Sequence, residues 1–378
     1  MKKDVVLWTH IPSHHTIGPF RELANSRNVY CMCRKATSKL RGDIWKTPDF
    51  GALRVEYLLE KDDVKAYISD FLDKTSDAVH FVAGFGDLPE FKLFWKGAKK
   101  RKINPIVIAE RPNPQRSALK SFLRDAYYSY VVRSLAPTTG AALCMGKIGV
   151  DAYRALGLSG EKTLPYMYTN GLPFPELPEK IEIGTPLRFV YVGGDEKWRK
   201  GLDVLTEALR GFTPEQLTFD MIGIGPDSWV ADFARANALE GVIRPLGKMQ
   251  SDEIAPKLAR DYDVLVLSSR HDGWGMTVSE AVLSGIGALV TDKCASRDVV
   301  EASGAGRVMT AGSVESTRAA IRLCVDSPET ALAWKEKARA YRDDLRPEKL
   351  AGYLEETVEY VESRYQAKKP NPYWLNPR

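Results

Sequence analysis

Asp272 and Glu280, two carboxylates eight positions apart, flank a glycine turn in VLVLSSRHDGWGMTVSEAVLSGIGALVTD, residues 264–292. The apolar runs at 264–267 and 288–290 suit buried strands, and TVSEAVLSG between them suits a helix. Thr277 followed by Glu280 fits a capping box, and Gly285 and Gly287 supply the helix stop. Gly273 and Gly275 let the backbone approach a ligand where a helix N-terminus offers unpaired N–H groups and partial positive charge. The stretch is thus a candidate phosphate seat. Both carboxylates could face the crevice at the carboxyl ends of the strands, where open α/β sheets bind ligands. A purely structural reading is also open: Glu280 closes the capping box and Asp272 is a turn acid.

A second phosphate-facing turn lies in FVYVGGDEKWRKGLDVLTEALRG, a strand, a charged loop and a helix. Arg199 and Lys200 just ahead of that helix would clamp a diphosphate, or else form a solvated basic pair. In IRPLGKMQSDEI, the backbone at Gly247, Lys248 and Met249 ends a further strand and could hold a flat base through main-chain hydrogen bonds.

Positioning these residues requires a sheet, and the chain has the rhythm of two. Expected strands lie at 5–8, 29–33, 78–83, 105–109 and 141–145, and again at 188–193, 218–223, 242–247, 264–269, 288–292 and 307–310, with helical stretches between them. Such alternation argues for parallel, doubly wound sheets. With 378 residues, two α/β domains in tandem with a cleft between them are expected. The boundaries are an N-terminal domain 1–170, a linker 171–186 that holds four prolines, a C-terminal domain 187–345, and a helix and tail 346–378 that could return to the first domain. Gly18 and Pro19 are expected to precede the first helix, on the ligand side of the sheet, but no G-x-G-x-x-G fingerprint follows. That argues against a nicotinamide-dependent oxidoreductase.

The motifs YVGGDEKWRKGLDVLTEAL, MIGIGPD, RPLGKM and DVLVLSSRHDGWGMTVSEAVLSGIGALVTD occur in that order over 188–312. This stretch resembles the C-terminal domain of the retaining family 4 glycosyltransferases. The resemblance implies a GT-B fold, with two Rossmann-like doubly wound domains facing each other across a cleft. It implies transfer of a sugar from a nucleotide diphosphate, UDP slightly ahead of GDP, to a glycan or lipid-linked acceptor in surface polysaccharide synthesis; no metal or other cofactor is expected if Arg199 and Lys200 suffice to neutralise the leaving diphosphate. The family's E-x7-E pattern stands here as Asp272-x7-Glu280. On the family's pattern Asp272 contacts the donor sugar, Glu280 the ribose, and the turn Gly273, Trp274, Gly275, Met276, Thr277 the phosphates. Lys200, with Arg199, takes the leaving diphosphate, and Gly193 and Gly194 line the donor loop.

Three positions depart from the family. Asp272 is one methylene shorter than Glu, Gly194 stands where relatives carry Arg, and Glu110 stands where many carry His. Glu110 could act on a substrate or simply pair with a neighbouring cation. A nucleotide-sugar epimerase or hydrolase, and a non-catalytic sugar-nucleotide binder, are the alternatives.

His10, His14 and His15 are expected in the loop after the first strand, on the acceptor side with Gly18. No histidine shows metal-ligand spacing, and Asp263 of the D-Y-D triplet is read as a strand start rather than a metal ligand. Cys31, Cys33, Cys144, Cys294 and Cys324 contain no C-x-x-C pair and read as reduced core thiols of a cytoplasmic protein. Charge is local. Residues 92–133 hold eleven Lys and Arg against Glu110 and Asp125, an excess of +9 in a chain whose net charge is +5. KLFWKGAKKRK and RSALKSFLRDAYYSYVVRS mix those cations with aromatic residues, so the region either lies on an anionic membrane or is a solvated face. Nucleic acid is disfavoured, because residues 184–378 carry 26 basic against 29 acidic side chains.

Overall fold

The structure, a computed structural model, describes residues 2–36, 47–86, 88–114 and 117–377. The chain forms two compact units. The first takes the N-terminal part through Gly171 together with Pro347–Pro372, and the second takes Leu172–Arg346 and the last residues. Residues 172–186, expected as a free-standing linker, belong to the second unit. Lys335 shows one reason: its ammonium donates to the carbonyl of Glu182 at 2.7 Å.

The first unit contains β1 (Val5–Thr9), β2 (Val29–Cys33), β3 (Arg54–Tyr57), β4 (Val79–Ala83), β5 (Ile106–Ala109), β6 (Ala141–Met145) and β7 (Thr163–Tyr166). All pair in parallel in the order β3-β2-β1-β4-β5-β6-β7. The second unit contains β8 (Leu187–Val192), β9 (Leu217–Ile222), β10 (Ile243–Gly247), β11 (Val264–Leu267), β12 (Gly287–Thr291) and β13 (Gly306–Met309). Their order is β10-β9-β8-β11-β12-β13, again all parallel. Central strands such as VVLWT and VLVL are buried along their whole length because helices cover both faces of each sheet. The two strands absent from the sequence reading, β3 and β7, are both edges. RVEY is half exposed and TLPY carries Pro165, which an edge tolerates and a central strand does not.

The helix after β1 also departs from expectation. It spans His14–Leu23 and is capped by Ser13, whose hydroxyl accepts from the amide of Thr16. His14 and His15 therefore lie in its first turn, and Gly18 and Pro19 lie inside it. A Cβ on Gly18 would stand 3.2 Å from the Cα of Gly171 and 3.4 Å from Pro347. The glycine permits close packing within the first unit and lies inside the helix rather than on a turn ahead of it.

Asp263 and His80 are buried polar groups that serve the fold. Asp263 starts β11 fully buried, and its carboxylate takes the Arg188 guanidinium at 2.9 and 3.1 Å, the amides of Gly184 and Arg188, and Lys335 at 3.1 Å. Burial alone would raise its pKa, but these donors hold it below the usual carboxylate range. His80 is the first unit's counterpart. Trp8 Nε1 donates to its Nδ1 at 3.1 Å, so Nε2 carries the proton and donates to the carbonyl of Thr75 at 2.8 Å. Burial pushes its pKa down to about 4. All five cysteines are buried, unpaired thiols.

Candidate functional site

The turn after β11 is built by glycine. Gly275 caps the helix Met276–Leu283 with φ +92°, a left-handed conformation that costs an L side chain energy. A Cβ there would also meet Ser296 Oγ at 2.6 Å. Trp274 is buried, with Nε1 donating to Ser279 Oγ at 2.9 Å and its carbonyl accepting from the amide of Ser296 at 2.8 Å. Only the backbone of Trp274 can therefore serve a ligand. Val278, Val282 and Leu283 anchor the helix in the core, each worth about 1.5–3 kcal/mol of burial.

No side chain caps this helix, which corrects the capping-box reading of Thr277 and Glu280. The amide of Val278 donates to the carbonyl of Gly275 at 3.0 Å, and those of Met276 and Thr277 are left for an incoming hydrogen-bond acceptor. Glu280 sits one turn inside with its side chain buried. Burial pushes its pKa up to about 7, and no counter-charge offsets the shift.

The loop 193–201 lies against this turn. Gly201 has φ +65°, and a Cβ on it would stand 2.1 Å from the carbonyl oxygen of Ser268. Ser268 Oγ donates to the carbonyl of Lys200 at 3.0 Å, and the amide of Arg270 donates to the carbonyl of Arg199 at 2.8 Å. Arg270 adds a bidentate pair with Asp203, at 2.6 and 2.8 Å, and a bond to the carbonyl of Trp198 at 2.9 Å. These contacts bring Lys200 Nζ to 2.7 Å from Asp272 Oδ2, both side chains mostly buried. Asp272 is itself held by a one-residue parallel bridge to Cys294. Arg199 instead pairs with Glu196, with its Nη2 at 2.8 Å from Oε1, and lowers that carboxyl's pKa.

Gly193 and Gly194 follow β8. Tyr191 Oη donates to the carbonyl of Gly194 at 2.8 Å, while a Cβ on Gly194 would meet nothing within 4 Å. At the end of β10, the amide of Gly247 donates to Ile224 and its carbonyl accepts from Gly223, both at 2.7 Å. Gly247 therefore spends its amide on the fold, and its carbonyl keeps one lone pair beyond the bond from Gly223. Lys248 is exposed and Met249 half-buried beyond it.

The residues expected to face a donor therefore lie on the second unit, at the carboxyl ends of β8, β10 and β11. Those expected on the acceptor side lie on the first. Glu110 is exposed directly after β5, and its carbonyl accepts from Tyr153 Oη at 2.9 Å. His10 follows β1 half-buried, and its carbonyl accepts from the amide of Lys35 at 3.2 Å. His14 is buried, with its carbonyl bound to the amide of Gly171, and His15 is half-buried. Sequence reading passed over Gly201, Ser268 and Arg270, which set the Lys200–Asp272 distance. A glycine directly before an apolar-periodic helix was the available signal for Gly201.

Residues 173–341 match the family model of glycosyl transferases group 1. No curated protein matches the chain by sequence. Among solved structures, HepE of Anabaena in complex with UDP is similar with a TM-score of 0.71 and 13% identity, over 94% of this chain and 99% of that one. Sucrose-phosphate synthase from Thermosynechococcus elongatus is similar with a TM-score of 0.69 and 14% identity, over 96% and 100%. The lipopolysaccharide outer core galactosyltransferase WaaB gives 0.63 and 15%, over 96% and 99%. Likenesses at this identity speak to the fold, which is GT-B. The family match over the second unit, on that fold, supports a glycosyltransferase.

Proposed function

We propose that the protein is a retaining, metal-independent hexosyltransferase of the family 4 type. It moves a sugar from a nucleoside diphosphate sugar to a hydroxyl of a glycan or lipid-linked acceptor, in surface polysaccharide synthesis at the cytoplasmic face of a membrane. The observation that carries the reading is the Lys200–Asp272 pair, with Asp272 four residues ahead of the helix Met276–Leu283, whose N-terminus no side chain caps. UDP is favoured over GDP; HepE, similar in fold, was solved with UDP and with UDP-glucose.

In this reading the bond from the anomeric carbon to the diphosphate oxygen breaks, and negative charge grows on that oxygen. Lys200 and the first-turn amides at Met276 and Thr277 stabilise that charge where it develops. Arg199, paired with Glu196 as Lys200 is with Asp272, adds its charge on the same side of the loop. Asp272 accepts from a sugar hydroxyl, and Glu280 as a carboxylate accepts from the ribose. The acceptor hydroxyl attacks from the face the diphosphate leaves, and its proton passes to a departing phosphate oxygen. Glu110, His10 and His15 form the acceptor side. Lys200 supplies the positive charge that a metal would otherwise bring.

The test is thermal stability with UDP-, GDP- and ADP-glucose in the presence of EDTA. A ligand at about 100 times its Kd stabilises by about 2.7 kcal/mol, a readable shift. Stabilisation of the wild type by one nucleotide sugar, reduced in Lys200→Ala, supports the reading. No shift with any of them overturns the donor site, and a shift that requires added metal overturns metal independence.

A further inference from the structure

The helix Ala118–Leu135 leaves an apolar face in solvent. Five of the seven large apolar side chains exposed among the described residues lie on it: Leu119, Phe122, Leu123, Tyr127 and Tyr130. Phe122 is 69% and Tyr130 73% exposed. At 3.6 residues per turn they form one stripe about 140° wide and about 16 Å long. Folding does not require it, because the helix is anchored from its other side by Tyr128, Val131, Val132 and Leu135. A contiguous exposed stripe of this kind marks an interaction surface.

Charge identifies the occupant. Lys120 is exposed beside the stripe on the helical wheel, and Arg133 is exposed within its arc, about one turn beyond Tyr130. Asp125, the helix's one acid, lies away from it and is held by Arg124 at 2.5 and 2.9 Å. The preceding crossover helix, Pro89–Arg101, presents Lys92, Lys96, Lys99 and Lys100 to solvent. It follows β4 as this helix follows β5, and right-handed crossovers place both on the same face of the first sheet. A second copy of the chain docking stripe to stripe would bring two such +9 bands together. An anionic bilayer would neutralise the band while taking up the apolar side chains, with the two tyrosines suited to the headgroup level.

The geometry points to the helix Ala118–Leu135 as a membrane-docking element that inserts Leu119, Phe122 and Leu123 into an anionic phospholipid surface. This deepens the acceptor reading above and rests on it for its purpose. Glu110, at the end of β5, is separated from the helix only by residues 111–117, so docking holds that strand end close to a lipid-linked acceptor. Among the described residues no helix is long and apolar enough to cross a membrane, so contact through this helix is an in-plane association.

Flotation of the full chain with vesicles of equal parts phosphatidylglycerol and phosphatidylcholine tests this, with pure phosphatidylcholine as control. The wild type is expected to float with the mixed vesicles. Phe122→Ser/Leu123→Ser/Tyr130→Ser, substituted only at exposed positions, is expected to lose partitioning about tenfold or more while its melting temperature and its response to UDP-glucose stay unchanged. Lys120→Glu/Arg133→Glu is expected to weaken binding to the mixed vesicles. Undiminished flotation of the serine variant overturns the proposal. So does failure of the wild type to float, and so does a wild-type dimer that the serine variant converts to monomer, which would assign the stripe to a second copy. Lys200→Ala is expected to float like the wild type, so failure of the donor site is read separately from failure of docking.

Discussion

The two units share the strand order 3-2-1-4-5-6 and differ in what stands at the carboxyl ends of their strands. In the second unit the rim packs backbone on backbone at two glycines, while Gly194 and Gly247 open onto space. A Cβ on Gly201 would meet the Ser268 carbonyl at 2.1 Å, and one on Gly223 the Gly193 carbonyl at 2.2 Å. In the first unit Gly84, after β4, opens onto space, Glu110 is exposed, and the neighbouring helix shows five large apolar side chains to solvent. A rim of interlocked loops fixes a charged pair such as Lys200 and Asp272 before any ligand arrives, which suits a ligand of constant shape. An open, apolar and basic surface suits a partner met at an interface.

The strongest way to break this contrast is to remove the charge that the rigid rim holds. Lys200→Ala is expected to lower kcat/KM for sugar transfer by about 100- to 1,000-fold, the usual loss for one group at a developing oxyanion, and also to lower the melting temperature, because Asp272 is left mostly buried without its partner. Steady-state kinetics with UDP-glucose checks it; a loss below about tenfold would remove Lys200 from the chemistry.

Next in size is the backbone contact itself. Gly201→Val is expected to cost about 3 kcal/mol or more, since a side chain must adopt φ +65° and displace the Ser268 carbonyl. Gly194→Ala, which opens onto space, is expected to lie within about 0.5 kcal/mol of the wild type. Denaturant unfolding of the two variants measures the difference.

The units should also respond to pH with opposite signs. Glu280 has its pKa raised to about 7 in the folded state. Its contribution is present in full below its unfolded pKa and is lost as pH rises through about 7, to a total of about 3 kcal/mol. His80, lowered to about 4, behaves in reverse. Its contribution is present above its unfolded pKa and is lost as pH falls toward 4, by a similar about 3 kcal/mol. Between pH 5 and 7, acidification is expected to protect the second unit and loosen the first. Hydrogen exchange resolved by unit checks this, and Glu280→Gln should flatten the dependence of the second unit alone.

The smallest effect sharpens the donor side. Gly194→Arg places a cation in open space beside the loop, and is expected to lower KM for the nucleotide sugar by about two- to fivefold. An unchanged KM would place Gly194 outside the reach of the phosphates.

Much of the fold was legible because buried parallel strands announce themselves as short apolar runs. VYCMC and AALCM form strands over the residues expected, and the other central strands agree within two residues at either end. The edges β3 and β7 were not legible, since an edge strand need not be apolar on both faces. Around the site, the residue types at 199–200 and 272–280 were visible, but their partners were not. Thr277 and Glu280 have the spacing of a capping box, yet Gly275 caps the helix and Glu280 is buried. Nothing in the local pattern distinguishes those outcomes, because burial of Glu280 depends on what packs over the helix. Gly18 was misread for the same reason: a glycine whose added Cβ would stand 3.2 Å from the Cα of Gly171 looks, in sequence, like one that opens a turn.

The sequence by itself determined the alternation of strands and helices, the concentration of positive charge in 92–133, and the order of the motifs over 188–312. Those features are local or additive, so each can be read without knowing what lies next to it. Only the tertiary structure decided that Lys200 meets Asp272 rather than Glu196, that Gly247 spends its amide on the fold, and that the apolar residues of the helix Ala118–Leu135 divide into an anchoring side and a solvent-facing stripe. Each of those outcomes turns on contacts between residues far apart in the chain, and on the second unit's rim such contacts are made possible at Gly201, Gly223 and Gly275 by the absence of a side chain.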